Sequence, residues 1–259
     1  MEPLVFGSSE RPLFGMYHPG TERGFLTRGV VLAYPLGNEY FSAYSSFRQL
    51  ALQLAQAGRP ILRFDYYGTG DSAGETGEGD LRLWCDDLRS AIEELRATAR
   101  VKAVDLVGLR LGASIAALVA SKEPVERIVL WEPVVQGRTY LDELKEAQAR
   151  FLEISSSRPR GAPAGGASFE AVGFPISPEL ERSIEGLTLL TLEQAPSQAL
   201  VLAREDDRSA SLLETHLRSL GCATARRQVC GPRLWDWERG INDSLIPRDA
   251  LAEIGAFLC

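Results

Sequence analysis

Histidine is nearly missing from this chain of 259 residues: His18 and His216 are the only two. Cysteine is sparse as well. Cys85, Cys222, Cys230 and Cys259 contain no C-x-x-C pair, and neither histidine is spaced with them as a metal ligand would be. That pattern predicts reduced thiols and speaks against a disulfide framework or a zinc site. Positive charge is in deficit, with 28 Lys and Arg against 35 Asp and Glu and a net charge of -7. Such a balance argues against a nucleic-acid surface, which needs a basic patch. No apolar run approaches the length of a membrane span. The opening "MEPLVFGSSERP" has neither a basic n-region nor an apolar stretch, so no signal peptide and a cytoplasmic setting are expected. No internal repeat is evident. What is present is 45% hydrophobic and 24% charged, the composition of a chain that buries a core.

Periodicity divides that core into alternating elements. "PLVF" and "PLFGMYH" read as short strands joined by a polar turn, and "RGVVLAYPLG" as a buried strand. Phe47, Leu50, Ala51 and Leu54 recur at helical spacing and Gly58 stops the run. "PILRFDYYGTGDSAG" is a strand breaking into a glycine-rich loop. A helix follows, with Leu81, Trp84, Leu88, Ile92 and Leu95 on one face. Then come the strand "AVDLVGL", the helix "LGASIAALVASK" and the strand "ERIVLWEP". Repeated β-α-β predicts a parallel sheet covered by helices on both faces.

After Pro133 the rhythm changes. A charged amphipathic helix over 138–154, a Ser/Pro/Gly/Arg loop and a helix capped by Ser177 with Pro178 at its first position precede the return of the strand pattern. We expect 1–134 and 196–259 to form the core and 135–195 to be an inserted cap.

Three segments carry a family resemblance: "PLGNEYFSAYSSFRQLA", "LRFDYYGTGDSAG" and "GLRLGAS". In order and spacing they resemble the α/β-hydrolase superfamily, in its serine-aminopeptidase-like branch. With "LWEPVVQGRTYLDEL" they look closer still to the exosortase-associated hydrolases and related proteins of bacterial biosynthetic clusters. The resemblance implies an α/β-hydrolase fold. It also implies a four-part site: a nucleophile at a Gly-flanked elbow, two backbone oxyanion donors, an acid after the seventh core strand and a histidine after the eighth. By position the donors would be the N–H groups of Leu36 and Leu111, and the acid Asp206 or Asp207. Two parts depart from the pattern. The elbow position is Arg110, and "CGPRLWDWERG" holds no histidine. A hydroxyl becomes a nucleophile only with a base in reach, so ordinary Ser-His-Asp hydrolysis is not expected.

Arg110 then has two compatible readings. At the start of a helix its guanidinium would hold a carboxylate, phosphate or enolate beside the oxyanion donors. Alternatively it fills a dead site as a structural ion pair, with Glu132 in "LWEP" as the expected partner. Asp206 or Asp207 would act as an acid or merely cap the next helix. Tyr34, Asn38 and Glu39 lie at the expected mouth, where Tyr34 is a candidate ligand contact. Arg233, Trp235 and Asp236 would line a pocket or pack a loop. Ser114 should point down its helix, Cys230 should be a small buried residue, and both histidines should be structural.

From these residues the first expectation is a non-triad enzyme of small-molecule metabolism. It would act on an acyl or carbonyl compound whose anionic group Arg110 holds, by lyase, cyclase or water-mediated chemistry, with Arg110, Glu132 and Asp206 as the chemical groups and no cofactor. The alternative is a catalytically silent pseudohydrolase that binds a ligand, or a protein partner through the cap.

Overall fold

A computed structural model describes residues 1–21, 28–154, 166–230 and 246–259. Ten strands and seven helices follow one another among these residues. The strands are β1 (Glu2–Gly7), β2 (Pro12–His18), β3 (Arg28–Ala33), β4 (Ile61–Phe64), β5 (Ala103–Leu109), β6 (Arg127–Trp131), β7 (Phe169–Ala171), β8 (Phe174–Ile176), β9 (Gln198–Ala203) and β10 (Ala223–Gln228). The helices are α1 (Asn38–Gln56), α2 (Leu81–Ala99), α3 (Leu111–Ala120), α4 (Gly137–Ile154), α5 (Pro178–Glu185), α6 (Arg208–Ser219) and α7 (Arg248–Leu258).

Eight strands join in the order β1-β2-β4-β3-β5-β6-β9-β10. β1 and β2 are antiparallel to their neighbours; every pair from β4 to β10 in that order is parallel. Val30, Leu32, Val107, Leu109, Val129 and Trp131 face α1 and α7, while Val31, Leu106, Ile128 and Leu130 face the α2 and α3 side. The strands are therefore apolar on both faces, as a doubly covered parallel sheet requires.

Local signals set the element ends. The Asp80 carboxylate accepts from the Leu83 N–H at 2.8 Å at the start of α2, and the Ser177 hydroxyl accepts from Leu180 at 3.1 Å at the start of α5. Each cap stabilises its helix by about 1 kcal/mol. Asp207 does the same for α6, accepting from Ala210 at 3.0 Å.

Between β6 and β9 the chain makes α4, the β7-β8 hairpin, α5 and a short 3-10 turn. Tyr140, Leu141, Ile176, Leu180, Ile184 and Leu189 from this stretch belong to the same apolar cluster as α2 and α3. These elements thus share the main core, and Phe174, Pro175 and Leu180 from them line a cavity with the loops after β3 and β4.

Candidate active site

At the carboxyl end of β5 the chain must turn sharply into α3, and two glycines make room for that turn. A Cβ on Gly108 would lie 2.4 Å from the Gly112 carbonyl oxygen, and one on Gly112 would lie 2.3 Å from those of Ala33 and Tyr34. Between them Arg110 takes φ 52° and ψ -121°, a region that L-residues with side chains rarely occupy and that clusters at functional sites. Its N–H donates to the Trp131 carbonyl at 3.0 Å. On the next strand end Glu132 also has positive φ, 42°, and its N–H donates to the Leu202 carbonyl at 2.7 Å. Two strained, buried, charged residues therefore stand side by side at the strand ends.

The ion pairs of Arg110 correct the expected partner. Its Nε donates to Glu39 Oε1 at 3.1 Å, and its terminal nitrogen donates to Glu143. Glu39 comes from the first turn of α1 and Glu143 from α4, whereas the sequence pointed to Glu132. The reason lies in strand order. β3 neighbours β5 directly, so the turn after β3 delivers the start of α1 over the elbow. Tyr140, one helical turn before Glu143, places its ring 5.1 Å from the guanidinium and donates its hydroxyl to Glu39 Oε2 at 3.0 Å. Burial alone would lower the Arg110 pKa, but the charges of Glu39 and Glu143 outweigh it and hold it above its ordinary value. Burial lifts Glu39 above the usual carboxylate range in spite of Arg110 and Tyr140. Among the described residues one guanidinium pairs with two carboxylates, and an anionic ligand at Arg110 would meet negative charge already in place.

Other candidate residues fall as follows. Ser114 is buried, and its hydroxyl is taken up by backbone carbonyls, donating to Val134 at 2.7 Å with the Arg110 carbonyl at 3.4 Å. Asp207 is a helix cap, and Asp206 beside it is exposed. Cys230, expected to be buried, is exposed, because β10 ends at Gln228 before reaching it. Burial pushes the Cys85 thiol up to about 11. His18 accepts from Arg63 Nε at 3.2 Å, and burial followed by the charge of Arg63 lowers its pKa to about 4. His216 is bonded to the Leu192 carbonyl at 2.9 Å on α6. Among the described residues neither histidine is hydrogen-bonded to the elbow. Arg233, Trp235 and Asp236 lie outside the described residues.

Beside the elbow a cavity of about 520 Å³ opens between the loop after β3, the start of α1, the glycine loop after β4 and the β7-β8 hairpin. Tyr34 and Leu36 line it, and a narrow crevice continues inward to Leu36 and Leu111. Arg110 is not among the residues lining this cavity. Its walls are aromatic: Tyr40, Phe41, Tyr44, Trp84 and Phe174, with Phe41 and Phe174 centroids 5.6 Å apart. Its buried carboxylate is Asp65, which accepts the Tyr40 hydroxyl at 2.9 Å and the Asp71 N–H at 3.0 Å. These residues were not singled out from sequence as site residues. The available signal was the aromatic run at the start of α1, where Phe41 and Tyr44 remain exposed.

The sequence profile of the family described as serine aminopeptidase, S33, matches residues 27–165. The chain belongs to that family. Solved α/β hydrolases share its fold at low identity. A proline iminopeptidase from Mycobacterium smegmatis superposes with a TM-score of 0.67 at 11% identity, covering 99% of this chain and 97% of that one. An esterase from Pyrococcus furiosus gives 0.68 at 15%, over 99% and 89%. An α/β hydrolase from a Penicillium species gives 0.64 at 17%, over 98% and 99%. No curated protein sequence matches the chain. Within the S33 family fold, this member carries Arg110 at the elbow.

Proposed function

We propose that this chain is a ligand-binding member of the family that performs no Ser-His-Asp chemistry. The observation that carries the reading is the closure of the elbow. Arg110 stands in the nucleophile's place and is held by Glu39, Glu143 and Tyr140. Removing one partner of a buried ion pair typically costs about 3–5 kcal/mol, so such a cluster persists as built. It leaves no hydroxyl at the elbow, and neither His18 nor His216 is placed to activate one. The ligand site is the neighbouring cavity, whose volume and aromatic lining suit a small metabolite. Binding there without turnover replaces acyl transfer.

A fluorophosphonate probe and a series of p-nitrophenyl esters test this reading. The expected result is no labelling and no saturable ester turnover. Serine labelling, or turnover that saturates with substrate, overturns it.

A further inference from the structure

The charge around the cavity has a feature that bears on what it binds. Two carboxylates line it, Asp65 and Asp71, and no Lys, Arg or His does so among the described residues. Asp65 is 7% exposed, yet it makes no ion pair within 4 Å among those residues. The nearest cation along the chain is Arg63, two residues before it, whose charge favours the ionised Asp65 but whose hydrogen bonds go elsewhere. It donates to His18 and to the Tyr34 hydroxyl, and its guanidinium lies 5.4 Å from the Tyr44 ring centroid. Each Asp65 oxygen accepts one hydrogen bond, which leaves acceptor capacity on both. Burial raises the Asp65 pKa; the Asp71 N–H and the Tyr40 hydroxyl hold it down, the Asp71 charge pushes it up again, and the Arg63 charge lowers it.

Three rings line the cavity with this carboxylate, Tyr40 through its hydroxyl hydrogen bond to Asp65 and Phe41 and Tyr44 beside Tyr40. Tyr40 and Tyr44 centroids are 6.0 Å apart, and Tyr40 and Phe41 meet edge to face at 5.5 Å. Aromatic faces attract cations through the ring quadrupole, most strongly where water is excluded. A close approach of backbone at one point packs against the carboxylate. Gly70 has φ +53°, and a Cβ there would sit 2.2 Å from Asp65 Oδ2. The loop is thereby shaped around the acid.

We propose that this cavity binds an organic ammonium ion with an apolar body, its nitrogen held by Asp65 and Asp71 among the rings of Tyr40, Phe41 and Tyr44. The proposal rests on the reading of the cavity as the ligand site and reverses the charge of ligand that Arg110 suggested from sequence.

The test compares three probes of one shape by calorimetric titration of the intact protein: 2-phenylethylammonium, 2-phenylethanol and 3-phenylpropionate. The ammonium is expected to bind roughly tenfold or more tightly than the alcohol, with no saturable binding of the carboxylate. Asp65→Asn should bring the ammonium and the alcohol to within about threefold of each other. Asp71→Asn, at an exposed position, is a second variant that leaves the buried hydrogen bonds in place and should lower the preference in part. Equal affinity for ammonium and alcohol, preference for the carboxylate, or no saturable ammonium binding overturns the proposal. Turnover of 2-phenylethyl acetate would instead overturn the silent elbow and leave the charge preference standing, so the two failures are distinguishable.

Discussion

The elbow and the cavity stand side by side at the carboxyl end of one sheet, and they solve opposite problems of charge. At the elbow a buried cation has carboxylates to spare, Glu39 and Glu143 against Arg110. In the cavity a buried carboxylate, Asp65, has no cation within ion-pair distance among the described residues. A cation already paired within the chain serves stability. A carboxylate without such a partner is held by hydrogen bonds and backbone. The contrast teaches that two neighbouring places at one end of a sheet can hold opposite balances of buried charge.

The most forceful way to break this contrast is Arg110→Ser. It leaves Glu39 buried without its counter-charge, and urea unfolding should report a loss of about 3–5 kcal/mol. Adding Glu39→Gln in the same chain should return part of it. Unchanged stability in the single variant would mean that the elbow cluster is not the tie described here. In the cavity, Gly70→Ala forces a left-handed residue against Asp65, and about 1–3 kcal/mol should be lost together with the ammonium preference. Retention of both would show the loop to be pliable. Phe41→Ala should separate the two properties. Stability should stay within about 0.5 kcal/mol because the ring is already exposed, while affinity for the ammonium probe falls. A large drop in stability would make Phe41 a packing residue instead.

The smallest effect is in pH, and two buried groups oppose each other. His18 has its pKa lowered by burial and then by Arg63 to about 4. The unfolded chain therefore binds the proton first, and this contribution is complete above the ordinary pKa of about 6.5 and is lost as pH falls towards 4. Asp87 is raised by burial to about 6. The folded chain binds that proton first, so its contribution is present at low pH and is lost as pH rises through about 6. His18→Gln should flatten the loss on acidification, and Asp87→Asn should flatten the loss on approach to neutrality. Identical stability profiles for wild type and both variants between pH 4 and 7 would sink this assignment.

Much of the fold was legible because it depends on local pattern. The Ser177-Pro178 helix start, the apolar stripe of α2 and the Gly-flanked elbow are each written within a few residues. The site was legible only where one motif places one backbone turn. Arg110 was found in that way. Its partners were not, because Glu39 lies 71 positions before it and Glu143 lies 33 positions after it. Such a pairing follows from strand order, which repeated β-α-β does not specify by itself. Glu132 looked right because it ends the adjacent strand, and its backbone does sit there; the ion pairs turned to the helices above. Asp65 escaped notice for a related reason. A carboxylate at a strand end reads as an ordinary loop residue until the rings around it are assembled from α1, α2 and the β7-β8 hairpin.

The positive φ of Arg110 has a consequence for what a single substitution can do. A serine put back at position 110 would inherit the elbow's backbone, but it would find no imidazole beside it and would leave Glu39 without its counter-charge. Each step towards an acyl-transfer centre therefore lowers stability before any chemistry returns. The closed elbow acts as a ratchet in sequence space: easy to keep, and costly to reopen one residue at a time.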